Sequence, residues 1–185
     1  MAIHLYRPGD LILCHSPGWL PAAIRWATRR RGEPITYANH TAGFVDSETI
    51  VEALWKVERK PYRGSMPEPH QVWRRKDLTP TERLKVALCA EQYVGRQYGV
   101  LKLFAHLGDA VLEKLFGRDV YIVRRLAFLD RYPICSWVWA WAYDKALNIR
   151  FRGLHPRFVT PDDMWDHVRE NPGWVKVSET GKWAG

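Results

Sequence analysis

Cys135, His40 and Glu52 are the residues whose types, brought together, would attack a carbonyl carbon. Cys135 follows a break at Pro133 and opens the run Cys-Ser-Trp-Val-Trp-Ala-Trp-Ala-Tyr, which reads as the start of a largely buried helix. Unpaired amides and the dipole at a helix N-terminus stabilise a thiolate, and the thiolate is the form that attacks carbonyl carbon. The same amides can hold the oxyanion that forms. Taken alone, a free cysteine is more often a small core residue, and the local sequence favours that reading.

His40 stands at the head of a predicted strand in Tyr37-Ala38-Asn39-His40-Thr41-Ala42-Gly43-Phe44-Val45. An imidazole on a rigid strand facing a helix-capping cysteine has the geometry of a Cys–His pair. A third polar group must then orient the ring and fix its tautomer. Glu52, in Ile50-Val51-Glu52-Ala53-Leu54, is a carboxylate inside an apolar strand, where it is costly unless partnered. The connection Asp46-Ser47-Glu48 decides whether the pair can meet. A three-residue turn puts His40 and Glu52 on one face, and a two-residue turn puts them on opposite faces. An edge-strand Glu52 facing water is an equal alternative.

The elements that position these residues read as α+β: strands first, helices mostly after. Strands are expected at 10–14, 40–45, 49–54, 55–59, 70–74 and 173–178, with a proline-rich loop at Pro61, Pro67 and Pro69. An amphipathic helix is expected at 19–31. Thr79-Pro80-Thr81-Glu82 has capping-box spacing with proline at the first helical position, and Gly95 offers a stop. Val100, Phe104, Leu107, Val111 and Leu115 form a helical stripe, 121–129 is ambiguous, and Thr160-Pro161-Asp162-Asp163 repeats the capping signature. No repeat or linker divides the chain, so residues 1–185 are expected to form one domain.

Ten Trp residues in 185 imply a heavy aromatic core or a greasy substrate groove. The formal charge of +8, with runs at Arg29-Arg30-Arg31, Arg74-Arg75-Lys76 and Arg124-Arg125, suits anionic partners or simply a solvated basic surface. No specific nucleic-acid module accompanies it. The three cysteines, Cys14, Cys89 and Cys135, are irregularly spaced, which argues against a disulfide framework or a paired zinc site. No signal peptide is visible and no apolar run approaches the roughly 18 residues needed to span a bilayer, so a cytoplasmic location is expected.

The order His40, Glu52, Cys135 is a rotation of the usual papain-type order. With it, the chain resembles the circularly permuted NlpC-type papain-like cysteine hydrolases, in particular the YiiX-like group, and more distantly the lecithin retinol acyltransferase-like proteins. The resemblance rests on Gly9-Asp10-Leu11-Ile12-Leu13, on Ser16 with the helix after it, and on the segment from Asn39 to Val45. It continues through Val51-Glu52-Ala53, Gly95-Arg96-Gln97-Tyr98-Gly99, Ile134-Cys135-Ser136-Trp137-Val138 and the segment from Val159 to Met164. Asn39 replaces a usual Ser, Thr41 a usual aliphatic residue, and the stretch from Tyr98 to Cys135 is long.

The resemblance implies a small antiparallel sheet or partial barrel packed against helices. It also implies Cys135 as nucleophile, His40 as base, Glu52 orienting His40, and Tyr98 lining the substrate site. No metal or other cofactor is expected. The expected activity is cleavage of a peptide or cell-wall amide through a thioester acyl-enzyme. The alternatives are acyl hydrolysis or transfer on a lipid at the same site, which allows peripheral membrane association, or a non-catalytic basic domain binding nucleic acid or an anionic surface.

Other constellations carry less. Cys14 and His15 point to opposite faces of a strand. Cys89 reads as core. Asp163 and His167 have helical i, i+4 spacing but no further ligands nearby. His4, His70, His106 and His155 read as solvent-facing or turn residues.

Overall fold

The computed structural model describes residues 5–18, 21, 22, 25, 37–62, 68–97 and 135–181. Strands β1 (Leu11–Cys14), β2 (His40–Phe44), β3 (Thr49–Ala53), β4 (Val57–Pro61) and β5 (His70–Arg75) precede helices α1 (Pro80–Glu91), α2 (Cys135–Leu147) and α3 (Pro161–Glu170). Strand β6 (Trp174–Thr180) closes the order, and two short 3-10 turns, Phe151–Gly153 and Pro156–Phe158, join α2 to α3. The architecture is α+β, a six-stranded antiparallel sheet in the order β4-β3-β2-β1-β5-β6 packed against helices. All of the expected helix at 19–31 except residues 21, 22 and 25, the stripe at 100–115, the segment 121–129 and Tyr98 lie outside the described residues.

Alternation along the strands sorts the side chains into two clusters. Leu11, Leu13, Val51 and Ala53 join Trp139, Tyr143 and Phe151 in the core under α2, while Ile12, Cys14, Ala42, Phe44, Ile50 and Val72 pack on the other face of the sheet. Trp139 has its indole N–H on the Val51 carbonyl at 3.1 Å. The aromatic load is therefore mostly structural: Trp137 and Trp139 are buried, and Trp137 meets Tyr93 edge-on at 5.1 Å.

Both capping boxes form. Thr79 and Glu82 close the start of α1, and Thr160 and Asp163 the start of α3, each with proline at the first helical position. Asp10 is fully buried and binds Arg74 at 2.9 and 2.5 Å, with Arg83 at 3.6 Å. Gly9, at φ +81°, turns its carbonyl to the Tyr143 hydroxyl at 2.5 Å. The Gly9-Asp10 pair is thus a node joining β1 to β5, α1 and α2. Arg74 is consumed there, and Arg75 pairs at the surface with Asp77 at 2.8 Å, so two members of the middle basic run already hold carboxylate partners of the same chain. The other two runs, Arg29–Arg31 and Arg124-Arg125, lie outside the described residues. Among the described residues, no helix is long and apolar enough to cross a membrane.

Candidate active site

The site lies where β1 ends, β2 begins and β3 ends. Cys14 pairs with His40, and Ala42 pairs with Glu52. Asp46 accepts the backbone N–H groups of Glu48 (2.8 Å) and Thr49 (2.7 Å), while the Val45 N–H reaches the Thr49 carbonyl at 2.9 Å. The connection is therefore the three-residue turn Asp46-Ser47-Glu48, and an odd loop sets even-numbered residues of β2 and β3 on one face. His40 and Glu52 share that face, with His40 Nε2 3.5 Å from Glu52 Oε2.

Glu52 is 3% exposed. Its second oxygen, Oε1, is in an ion pair with Lys60 on β4. Burial disfavours the charged carboxylate, but the hydrogen bonds and charges of His40 and Lys60 outweigh it and hold Glu52 below its ordinary range. Lys60 was not singled out from the sequence. In Val-Glu-Arg-Lys-Pro it reads as one more charge on an exposed strand, and only the register Ile50↔Lys60 and Glu52↔Glu58 reveals that it flanks Glu52.

Cys135 is the first residue of α2 and is buried. Burial would raise its thiol pKa, yet the His40 hydrogen bond and charge, with the backbone N–H groups of Thr41 and Ser136, bring it below the ordinary value. His40 moves the opposite way. Burial opposes its charge, and Cys135 and Glu52 together raise it above the ordinary imidazole range. The thiol is thus made more acidic and the imidazole beside it more basic, with a carboxylate behind the ring. With Nε2 turned to Glu52, Nδ1 is the nitrogen left for the sulfur.

The surroundings fix each member. Asn39 accepts the Ser16 N–H on its side-chain oxygen at 2.7 Å, and its own N–H meets the Cys14 carbonyl at 3.0 Å, which locks the start of β2 to the end of β1. Asp162 accepts the Tyr37 N–H at 3.0 Å, so α3 anchors the approach to His40. Ser136 donates to the Val159 carbonyl at 2.7 Å and pins the first turn of α2. The Thr41 hydroxyl is buried with no hydrogen-bond partner among the described residues.

The remaining candidates separate from the site or change character. Cys14 is fully buried, and burial first, then Glu68 and Glu52, push its thiol well up. Cys89 is half-buried at the core edge rather than within it. Asp163 caps its own helix, and His167 Nδ1 accepts the Arg152 N–H at 3.1 Å, so the two do not form a shared ligand pair. His70, read as solvent-facing or in a turn, is instead fully buried, with Nε2 2.9 Å from the Tyr62 hydroxyl and Nδ1 2.9 Å from the Glu68 carbonyl. A lone histidine at the head of a strand gives no sequence sign of such partners. Tyr98 lies outside the described residues.

No protein family matches the chain, and no curated protein matches it. Among solved structures it is similar to the crystal structure of the metalloprotein YiiX from Escherichia coli O157:H7, a DUF1105 protein. The TM-score is 0.65 at 18% identity, covering 96% of this chain and 99% of that one. The chain thus shares its α+β fold with YiiX over nearly the full length of both.

Proposed function

We propose that this protein is a cysteine hydrolase that cleaves amide bonds through a thioester on Cys135. The observation that carries the reading is one arrangement: Cys135 opens α2 beside His40, and His40 Nε2 is 3.5 Å from the buried Glu52 carboxylate. Cys135, at a helix N-terminus, is made more acidic, while His40 beside it is made more basic and has Glu52 behind it.

In the first half-reaction the Cys135 thiolate adds to the carbonyl carbon. The oxyanion forms beside backbone N–H groups at the start of α2. His40 then gives its proton to the leaving nitrogen, the C–N bond breaks, and the acyl group remains as a thioester. In the second half-reaction the neutral His40 removes a proton from water as the water attacks. The C–S bond breaks, the carboxylic acid leaves, and the thiolate–imidazolium pair is restored. Glu52 keeps the ring turned and stabilises its charged form in both halves.

YiiX is described as a metalloprotein. Among the described residues here, no group of three or more His, Cys, Asp or Glu side chains is arranged to hold a metal ion. Cys135, His40 and Glu52 stand in series through the imidazole, and Glu52 is already occupied by Lys60. These residues do not fit a metal centre, and no step above passes through one.

A second substrate reading has one observation behind it. Leu54 and Trp55, directly after the strand that carries Glu52, are 50% and 81% exposed at the tip of the β3–β4 hairpin. An apolar tip at the rim of an acyl-transfer site suits an acyl lipid as well as a peptide.

Incubation with cell-wall peptides and, separately, with phospholipid vesicles, followed by intact mass spectrometry, tests both. An acyl adduct on Cys135 with release of an amine supports the amidase. The same adduct with a fatty acyl mass moves the substrate to lipid. Turnover unchanged in Cys135→Ala would overturn the nucleophile.

A further inference from the structure

We propose that Lys60 is a positioning residue for the His40 imidazole: its ammonium, set on Glu52 Oε1, keeps the buried carboxylate charged and turned so that Oε2 stays on the ring. The inference rests on the proposed Cys–His site and adds a fourth member behind it.

Geometry supplies the case. Glu52 is almost fully buried, and a buried carboxylate persists as an anion only when its oxygens are matched by hydrogen bonds or charge. Both oxygens are matched, one by His40 and one by Lys60. The contact to His40, at 3.5 Å, is at the outer limit of a hydrogen bond, so His40 alone holds Glu52 weakly. Lys60 holds the other oxygen, so the two contacts together fix how the carboxylate is turned.

The sheet register explains why position 60 does this. Glu52 lies opposite Glu58 on β4, a like charge that would repel it. Glu58 is instead drawn to Lys56 at 3.0 Å. Lys60, one pair further along the same face, reaches back diagonally to Glu52, while its own side chain stays 40% exposed. It can therefore supply charge to a buried partner without being buried itself.

Among the described residues, the charged and titratable groups around His40 are few enough to name. Cys135 on α2 and Glu52 on β3 touch the ring, and Cys14 on β1 pairs with it across the sheet. Glu68 and His70 lie by Cys14, and Lys60 and Glu58 on β4 flank Glu52. Lys60 is the one lysine or arginine in this set, and its removal leaves Glu52 with His40 as its remaining side-chain partner among the described residues.

The test is a histidine-labelled NMR titration of the full chain, with the His40 signal assigned by its loss in His40→Ala. Lys60→Met, Lys60→Gln, Lys60→Arg and Glu52→Gln are compared. With Lys60 neutral, Oε1 loses its partner, the carboxylate turns away from the ring and the imidazolium loses its contact with Oε2. Loss of the lysine charge alone, with the carboxylate still on the ring, would instead raise the midpoint and overturn the inference. The His40 midpoint should fall by about one unit, a tenfold loss of proton affinity. It should move toward that of Glu52→Gln, and Lys60→Arg should restore it. An unmoved midpoint in Lys60→Met and Lys60→Gln overturns the inference, even if melting temperature drops, because that pattern marks a purely structural lysine. Alkylation of Cys135 in the parent and His40→Ala is run alongside. If alkylation is independent of His40 while the midpoint still moves with Lys60, the nucleophile reading fails and the action of Lys60 on His40 stands.

Discussion

The Trp139 indole lies over Gly43, with three ring carbons 2.6 to 2.8 Å from where a Cβ at position 43 would stand. Trp139 is one helical turn beyond Cys135, and Gly43 is three residues beyond His40 on its strand. This close approach therefore sets the separation between the helix that carries the thiol and the strand that carries the imidazole. Gly43→Ala should push α2 away from β2. The expected cost is about 1–3 kcal/mol, as for other overpacked cores. Denaturant melts check the stability, and a slower Cys135 alkylation in the folded variant checks the spacing.

The paired displacements of Cys135 and His40 give a pH profile with a definite sign. Cys135 is held below its ordinary value, so the reactive thiolate should be present at a pH where an ordinary thiol is still protonated. His40 is held above its ordinary value, so the imidazolium that stabilises the thiolate should survive past neutrality. Iodoacetamide labelling of Cys135 in a Cys14→Ser, Cys89→Ser background should stay fast on the acid side of a free thiol's midpoint of about 8.5. In His40→Ala the profile should move to the alkaline side of it, because burial then acts on the thiol without the His40 charge. Equal profiles in the two proteins would remove the pair.

Glu52→Gln should lower stability by about 1.5–3 kcal/mol at neutral pH, the scale of a buried carboxylate's charged hydrogen bonds. Glu52 is held below its ordinary carboxylate value, so its contribution is present above that value. It is lost as pH falls through the lowered folded-state value. Urea melts of parent and variant should accordingly converge in acid, and a constant difference down to low pH would contradict the ion pair.

Thr41→Val tests the buried hydroxyl beside the site. Among the described residues the Thr41 side chain has no hydrogen-bond partner, whereas its backbone N–H serves Cys135. Valine keeps the shape and the N–H and removes the orphaned oxygen. Stability should rise by about 1 kcal/mol with Cys135 reactivity retained. A loss of reactivity would show that the hydroxyl itself takes part.

Local signals were legible and distant ones were not. Thr79 with Glu82 and Thr160 with Asp163 marked two helix starts, because a capping box is complete within four residues. The strands carrying His40 and Glu52 were legible for the same reason, and their register reduced to one question about a turn. Arg74 looked like part of a surface run because its partner, Asp10, is 64 residues away and charge counting has no reach over that distance. Lys60 was hidden by β4, a strand whose other side chains are mostly exposed. His70 was hidden because its partners Tyr62 and Thr180 come from both sides of it in the chain, the second from the last strand.

The three-residue turn after β2 has a consequence for how this chain can vary. Deleting or inserting a single residue between Asp46 and Glu48 would turn β3 over and carry Glu52 away from His40, with Val51 or Ala53 taking its side of the sheet. A change of two would preserve the facing. Length variation at this loop should therefore be quantised, with relatives that keep the histidine–carboxylate pair differing there by even numbers of residues. An odd step should be found only where the carboxylate has moved to an adjacent position.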